Sequence, residues 1–324
     1  MRTLWKSVSA PFSDTTGVAR WLLLSGIVLT LVFVIAAVFA PWLAPYGFDQ
    51  RGPVPGETFP KLQAPSGAHP FGTNDQFYDV LSRIIWGART ALQVTLLSVI
   101  VSAVLSVPLG VISGYLGGWI DRVLVFLMDA LYSFPSLLLA IVFAFLLQGA
   151  LGGGIVAAAL SITVIYVPQY FRVVRNTTIS AREATYVEAA KALGAKPRTV
   201  MSRYLFGNVV QSVPVIGTLN AADAIATLAG LGFIGLGIQP TEASEWGYDL
   251  SRAIDDAGSG IWWTAFFPGM AIVLFVAALT LVGEGLNETL NPTLKKRRLE
   301  PVVLPARELA DDTAQTAGDP GERA

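Results

Sequence analysis

The sequence predicts an all-α membrane protein with six transmembrane helices, and three observations carry that prediction. Of 324 residues, 53% are hydrophobic and only 14% charged, whereas a soluble domain has about a quarter of its residues charged. Six stretches reach the roughly 20 apolar residues that a helix rising 1.5 Å per residue needs to cross a bilayer. With both termini placed in the cytoplasm, seventeen of the 22 Lys and Arg residues fall on that side, the bias that membrane insertion imposes on positive charge.

The elements follow in order. Residues 1–20 form a cytoplasmic tail. The first span runs from Trp21 to about Leu43, longer than the ~7–15-residue apolar core of a cleaved signal sequence. Residues 44–90, rich in Pro and Gly, form an external segment too polar to insert and ordered only in part. A five-helix core, 91–290, holds the remaining spans: about Ala91 to Tyr115, Val123 to Leu147 with Asp129 and Pro135 interrupting it, Gly153 to Phe171, Val209 to Leu236, and Trp263 to Leu286. Between the fourth and fifth lies a cytoplasmic loop, 172–208, with seven basic residues. An external helix from about Glu245 to Ala257 joins the last two spans, where Trp246, Tyr248, Trp262 and Trp263 suit the membrane interface. Residues 291–324 form a cytoplasmic tail, mostly disordered by its low apolar content and mixed charge.

Composition also excludes functions. Net charge is −1 and no Lys/Arg cluster is interleaved with aromatics, so no nucleic-acid partner is indicated. No Cys is present and His69 is the only His, so no metal cluster of those types is expected. His69 reads as a loop or packing residue. No G-x-x-x-x-G-K-S/T loop is present to cradle phosphates, so the chain binds no nucleotide cofactor and no residue is assigned a catalytic role. Gly230, Gly232 and Gly235 spell G-x-G-x-x-G inside a span and read as helix packing or helix breaking. Gly110 and Gly114, four apart, permit a close helix crossing.

Ionisable groups in lipid cost about 2.5–3.5 kcal/mol on insertion scales, so each needs a partner or water. Asp129 lies seven residues past Arg122 on the same helix side, which suggests a structural pairing or a subunit contact. Asp223 and Asn220 interrupt the fifth span and are the candidates to line a translocation path.

The loop "SAREATYVEAAKALG" is rich in helix formers. Gly194 stands where a left-handed residue ends a helix, and Pro197 where the next begins. Ala189 and Ala190 give a low surface, Tyr186 and Leu193 apolar knobs, and Glu188 and Lys191 polar orientation, a composition suited to docking in a partner's groove. A solvated connector has the same pattern.

Glu188, Ala189, Ala190 and Gly194 reproduce the E-A-A-x-x-x-G signature, so the loop resembles that of importer permeases of the ATP-binding cassette class. The wider "YVEAAKALGA", "HPFGTNDQFYDVLSRIIWGARTAL", "LGFIGLGIQPTEASEWG" and the last span are similar to the C-type subunit of the peptide-permease branch, over roughly residues 20 to 298. The resemblance implies a type I importer permease in a bacterial or archaeal cytoplasmic membrane, surrounded by lipid. It implies four partners: a homologous B-type permease, two ATPase subunits holding ATP and Mg, an extracytoplasmic binding protein, and a peptide substrate. Tyr186, Glu188, Ala189, Ala190, Leu193 and Gly194 would couple the chain to the ATPases; Asp223, singled out by its charge in the middle of the fifth span, is the candidate to meet a peptide amine. Two departures stand out. "YLFGN" has Gly207 where the family usually has Pro, implying a softer bend into span five, and Phe77 and Tyr78 precede Asp79 where Gly-Arg is common. A proton-coupled carrier using Asp223 or Asp129 is the alternative, as are nickel chelates, glutathione or haem as cargo.

Overall fold

The computed structural model describes residues 18–290, and among them the only β pairing is an isolated antiparallel bridge between Thr73 and Asp79. Expectations for the tails up to residue 17 and over 291–324 fall outside the described residues. Helix α1 (Val18–Val38) is followed by short α2 (Ala40–Leu43), then α3 (Val80–Leu116), α4 (Gly118–Tyr132), α5 (Ser136–Leu151) and α6 (Gly154–Arg182). The loop helix α7 (Thr185–Ala192) precedes a continuous run, Pro197–Phe233, composed of α8 (Pro197–Thr199), a π turn (Val200–Leu205), α9 (Phe206–Val209), a 3-10 turn (Val210–Ser212) and α10 (Val213–Phe233). External α11 (Trp246–Gly258) and final α12 (Trp263–Leu290) complete the chain. Five runs are long and apolar enough to span a membrane, and α4 with α5, meeting at 94°, qualify together as a sixth.

The expected loop 172–208 is shorter than read, since α6 runs on to Arg182, past Phe171, and the fifth-span run starts at Pro197, ahead of Val209. Three further differences from the sequence reading have local reasons. Helix α3 begins eleven residues early, at Val80, because the Asp79 carboxylate accepts the Ser82 N–H at 2.8 Å and its hydroxyl at 2.7 Å, closing the first turn as an N-cap. The third span is two helices. Pro135 lacks an N–H and disfavours helical backbone at Phe134, so the chain breaks there. At Gly207, where a softer bend is expected, glycine keeps the N–H that proline would remove, and the helical run passes through unbroken.

The centre of the bundle is the crossing of α3 and α6. Ser98, Ser102, Ser106, Gly110 and Gly114 recur every four residues along one stripe of α3, and the three serines are fully buried. The Ser106 hydroxyl donates to the Val167 carbonyl at 2.9 Å, while a Cβ at Gly110 would press within 2.7 Å of Val174. Small residues thus let two backbones approach in lipid, where helix association depends on packing and hydrogen bonds. Beside this crossing, Phe33 of α1 stacks on Phe275 of α12 at 4.5 Å, with Trp246 edge-on.

The external segment is an ordered cap, contrary to its polar, Pro-rich appearance. His69 is buried against Asp79, Nδ1 to Oδ1 2.8 Å. Arg83 makes a two-pronged pair with Asp249 of α11 at 2.6 to 3.2 Å and also donates to the Phe48 carbonyl. The expected interfacial aromatics are mostly interior. Trp246 donates to the Ile84 carbonyl at 3.1 Å and Trp263 to the Thr73 carbonyl at 3.2 Å, so their N–H groups are satisfied by protein and not by headgroups. Tyr248 is buried as well, and Trp262 alone of the four is exposed.

Candidate coupling loop and translocation face

Helix α7 carries Glu188 near its N-terminal end and Lys191 near its C-terminal end, each sign matching the helix dipole. Its end is a Schellman closure: Gly194 has φ +82°, its N–H reaches the Lys191 carbonyl at 2.9 Å, and the Ala195 N–H reaches the Ala190 carbonyl at 3.0 Å. Pro197 then occupies the first turn of α8, where no N–H is needed.

One face of α7 belongs to the chain itself. Val187 packs with Val200 and Leu205, all three fully buried, and Ala190 is buried beside them. Ala190 therefore faces inward, because the π turn brings Val200 and Leu205 beneath the helix. The Tyr186 hydroxyl accepts a hydrogen bond from the Asn208 amide at 2.6 Å, tying the helix to α9. Lys191 reaches back over the Tyr115 ring at 5.5 Å, and Arg182 donates to the Gly114 carbonyl at the end of α3. Left open are Glu188, Ala189 and Leu193, the last 89% exposed.

The polar groups of the spans divide into two sets. Asp129 is paired with Arg172 of α6 at 3.0 Å, and Arg172 lies over the Tyr132 ring at 4.3 Å. Arg122 is exposed and makes no ion pair among the described residues. The expected Asp129 and Arg122 pairing fails because seven residues place them about 10 Å apart along the axis, whereas α6 crosses alongside. Its neighbour Asp121 takes Arg175, Nη2 to Oδ2 2.7 Å. On α10, Asn220 is buried, while Asp223 is exposed and accepts the Tyr166 hydroxyl at 3.0 Å.

Residues 106–296 match the model of the family described as binding-protein-dependent transport system inner membrane component. The chain belongs to this family. It is the permease subunit of an ATP-binding cassette importer and a multi-pass membrane protein, which displaces the self-sufficient carrier. It is 36% identical over 270 residues to the dipeptide transport system permease protein DppC of Alkalihalophilus pseudofirmus, covering 83% of this chain and 85% of that one. It is 34% identical over 266 residues to the glutathione transport system permease protein GsiD of Escherichia coli O157:H7, with 82% and 84% covered. The corresponding protein of Pectobacterium atrosepticum is 32% identical, with 82% and 85% covered.

Two features of this permease escaped the sequence reading. The serine stripe was open to detection, since small residues every four positions are a packing signal. The buried pair Arg83 and Asp249 was not, because the partners stand over 160 residues apart. Glu245 caps α11, its carboxylate accepting the Gly247 and Tyr248 N–H groups at 2.7 Å each. Gly232 makes room for it, since a Cβ there would overlap the carboxylate, and Gly235, at φ +82°, ends α10. Burial pushes the Glu245 carboxyl up to about 8, against the pull of those two hydrogen bonds.

Proposed function

We propose that this permease imports dipeptides or short oligopeptides, with α7 and both termini on the cytoplasmic side of a bacterial or archaeal cytoplasmic membrane. Two ATPase subunits bind ATP and Mg and hydrolyse the nucleotide, a homologous second permease completes the pore, and an external binding protein delivers cargo. The observation that carries this reading is α7, a capped helix whose inner face is seated on its own chain and whose outer face presents Glu188, Ala189 and Leu193. An 89% exposed Leu at the end of a helix whose first turn carries an exposed Glu188 fits an apolar groove with a polar rim. The excess of Lys and Arg around this loop supports its cytoplasmic placement. Relatives named for dipeptide and for glutathione, itself a small peptide, support the cargo class.

The test is uptake of a labelled dipeptide into vesicles containing the reconstituted complex, wild type against Glu188→Lys, with ATP hydrolysis followed in parallel. The expected result is loss of uptake, with the ATPase subunits detached or hydrolysing ATP idly. Uptake that needs no ATP, runs on a proton gradient and ignores Glu188 would refute the reading.

A further inference from the structure

The outward surface of α10 differs in kind from that of the other exposed spans. Helix α1 exposes Val28, Leu31 and Ile35, and α5 exposes Phe145 and Leu146, the large apolar surface that lipid tails accept. Along the run containing α10, no large apolar side chain is exposed between Phe206 and Phe233. Its open face instead carries Asp223, Ala226 and Phe233, with half-buried Gly230 on the same side of the helix against Leu137 of α5. An exposed alanine one turn from the carboxylate leaves room for another chain to approach the backbone. Lipid offers nothing to a carboxylate there.

Asp223 is also held in place. Its Oδ2 accepts the hydroxyl of Tyr166, a residue of α6 that is 0% exposed. That bond fixes the carboxylate without neutralising it, and among the described residues no Lys, Arg or His pairs with it. The chain's other carboxylates at α6 behave differently, since Asp121 and Asp129 each have an arginine. A positioned, uncompensated anion on an exposed, non-lipid face is complementary to a cation that arrives and leaves.

We propose that Asp223, positioned by Tyr166, is a transient subsite for the α-ammonium group of a peptide passing along α10. This rests on the peptide-importer reading and deepens it by naming the part of the cargo that the permease itself reads. The pairing is weak by construction. A carboxylate exposed on one side contributes an ion pair of about 1 kcal/mol, or about fivefold, enough to favour entry without trapping the cargo.

The experiment uses vesicles containing the full complex with its binding protein, loaded to saturation with either a free dipeptide or its N-acetylated form. Each uptake rate is expressed as wild type over Asp223→Asn. The binding protein's own preference is common to both chains and cancels in that ratio. The expected ratio is about five for the free dipeptide and near one for the acetylated one, with Asp223→Glu close to wild type for both and ATP hydrolysis retained in all three. Equal slowing of both peptides would overturn the subsite and make Asp223 a contact to the second permease. Unchanged uptake of both would also overturn it, leaving Asp223 away from the cargo. Failure of the importer reading is distinguishable, because then wild type takes up neither peptide on addition of ATP.

Discussion

The cap over residues 45–79 and the loop that carries α7 are both polar segments joining apolar helices, yet they are held by opposite means. The cap is tied to α3, α11 and α12 by buried polar and charged groups: His69 with Asp79, the ion pair of Arg83 with Asp249, and the Glu245 carboxyl on the start of α11. The loop helix α7 is held mainly by three buried apolar side chains, Val187, Val200 and Leu205, worth about 2 kcal/mol each. Directional, desolvated charge pairs fix one geometry, because a broken one leaves a bare charge inside the protein. A small apolar contact tolerates tilting. The cap is built to stay as it is, whereas the seat of α7 suits a helix that, on the proposed coupling, is gripped and moved.

The sharpest way to break this contrast is Arg83→Met, which leaves Asp249 buried without its cation. Burial already raises that carboxyl, with Arg83 opposing it. The expected loss is about 3–5 kcal/mol, read as a lower unfolding temperature of the purified complex and rapid proteolysis within residues 45–79. A cap that stays protease-resistant in this variant would mean the charges do not hold it. At the inner end, Gly194→Val forces a β-branched residue to φ +82° and is expected to cost about 1–2 kcal/mol. Uptake should fall more than unfolding temperature, since the strain falls on the angle of α7.

Glu245 supplies a pH dependence confined to the outer end. Its carboxyl is raised from an ordinary 4.5 to about 8, so the folded cap favours the protonated form. The associated stability is complete below pH 4.5 and is lost as pH rises toward 8. Unfolding temperature of the wild type is expected to drop across that window and that of Glu245→Gln to stay flatter, and parallel curves would remove the effect. The smallest change to the fold belongs to Leu193→Ser. At 89% exposure it should alter stability by less than about 0.5 kcal/mol while reducing ATP-driven uptake. Normal uptake would exclude Leu193 from the docking face.

What the sequence revealed follows the range of the interactions. Apolar length is local, so five spans were legible, and the sixth was legible as a span but not as a bent pair, although Pro135 marked the place. The α7 closure was legible too, since Gly194 and Pro197 sit within a few residues of the helix they frame. The orientation of α7 was not, because Ala190 turns inward only when the π turn supplies Val200 and Leu205. Helix α3 was read too short for a related reason. Arg83 and Trp86 resemble solvent-facing residues until α11 and the Tyr46 carbonyl are brought to them. Asp129 was correctly read as needing a partner, but the nearest cation in sequence was not the nearest in space.

The continuous run Pro197–Phe233 joins these regions mechanically. At 1.5 Å per residue its 37 residues form a rod about 55 Å long, with the seat of α7 at one end and Asp223 about two thirds of the way along. A torque applied to α7 is thus delivered to Asp223 without a loop in between to absorb it. The hydrogen-bond register changes at two places on the way, in the π turn that forms the seat itself and in the 3-10 turn at Val210–Ser212 between the seat and Asp223. There the rod can change its winding without breaking, so on the proposed coupling it would serve as a torsion bar, twisted where α7 is seated and read out at the carboxylate.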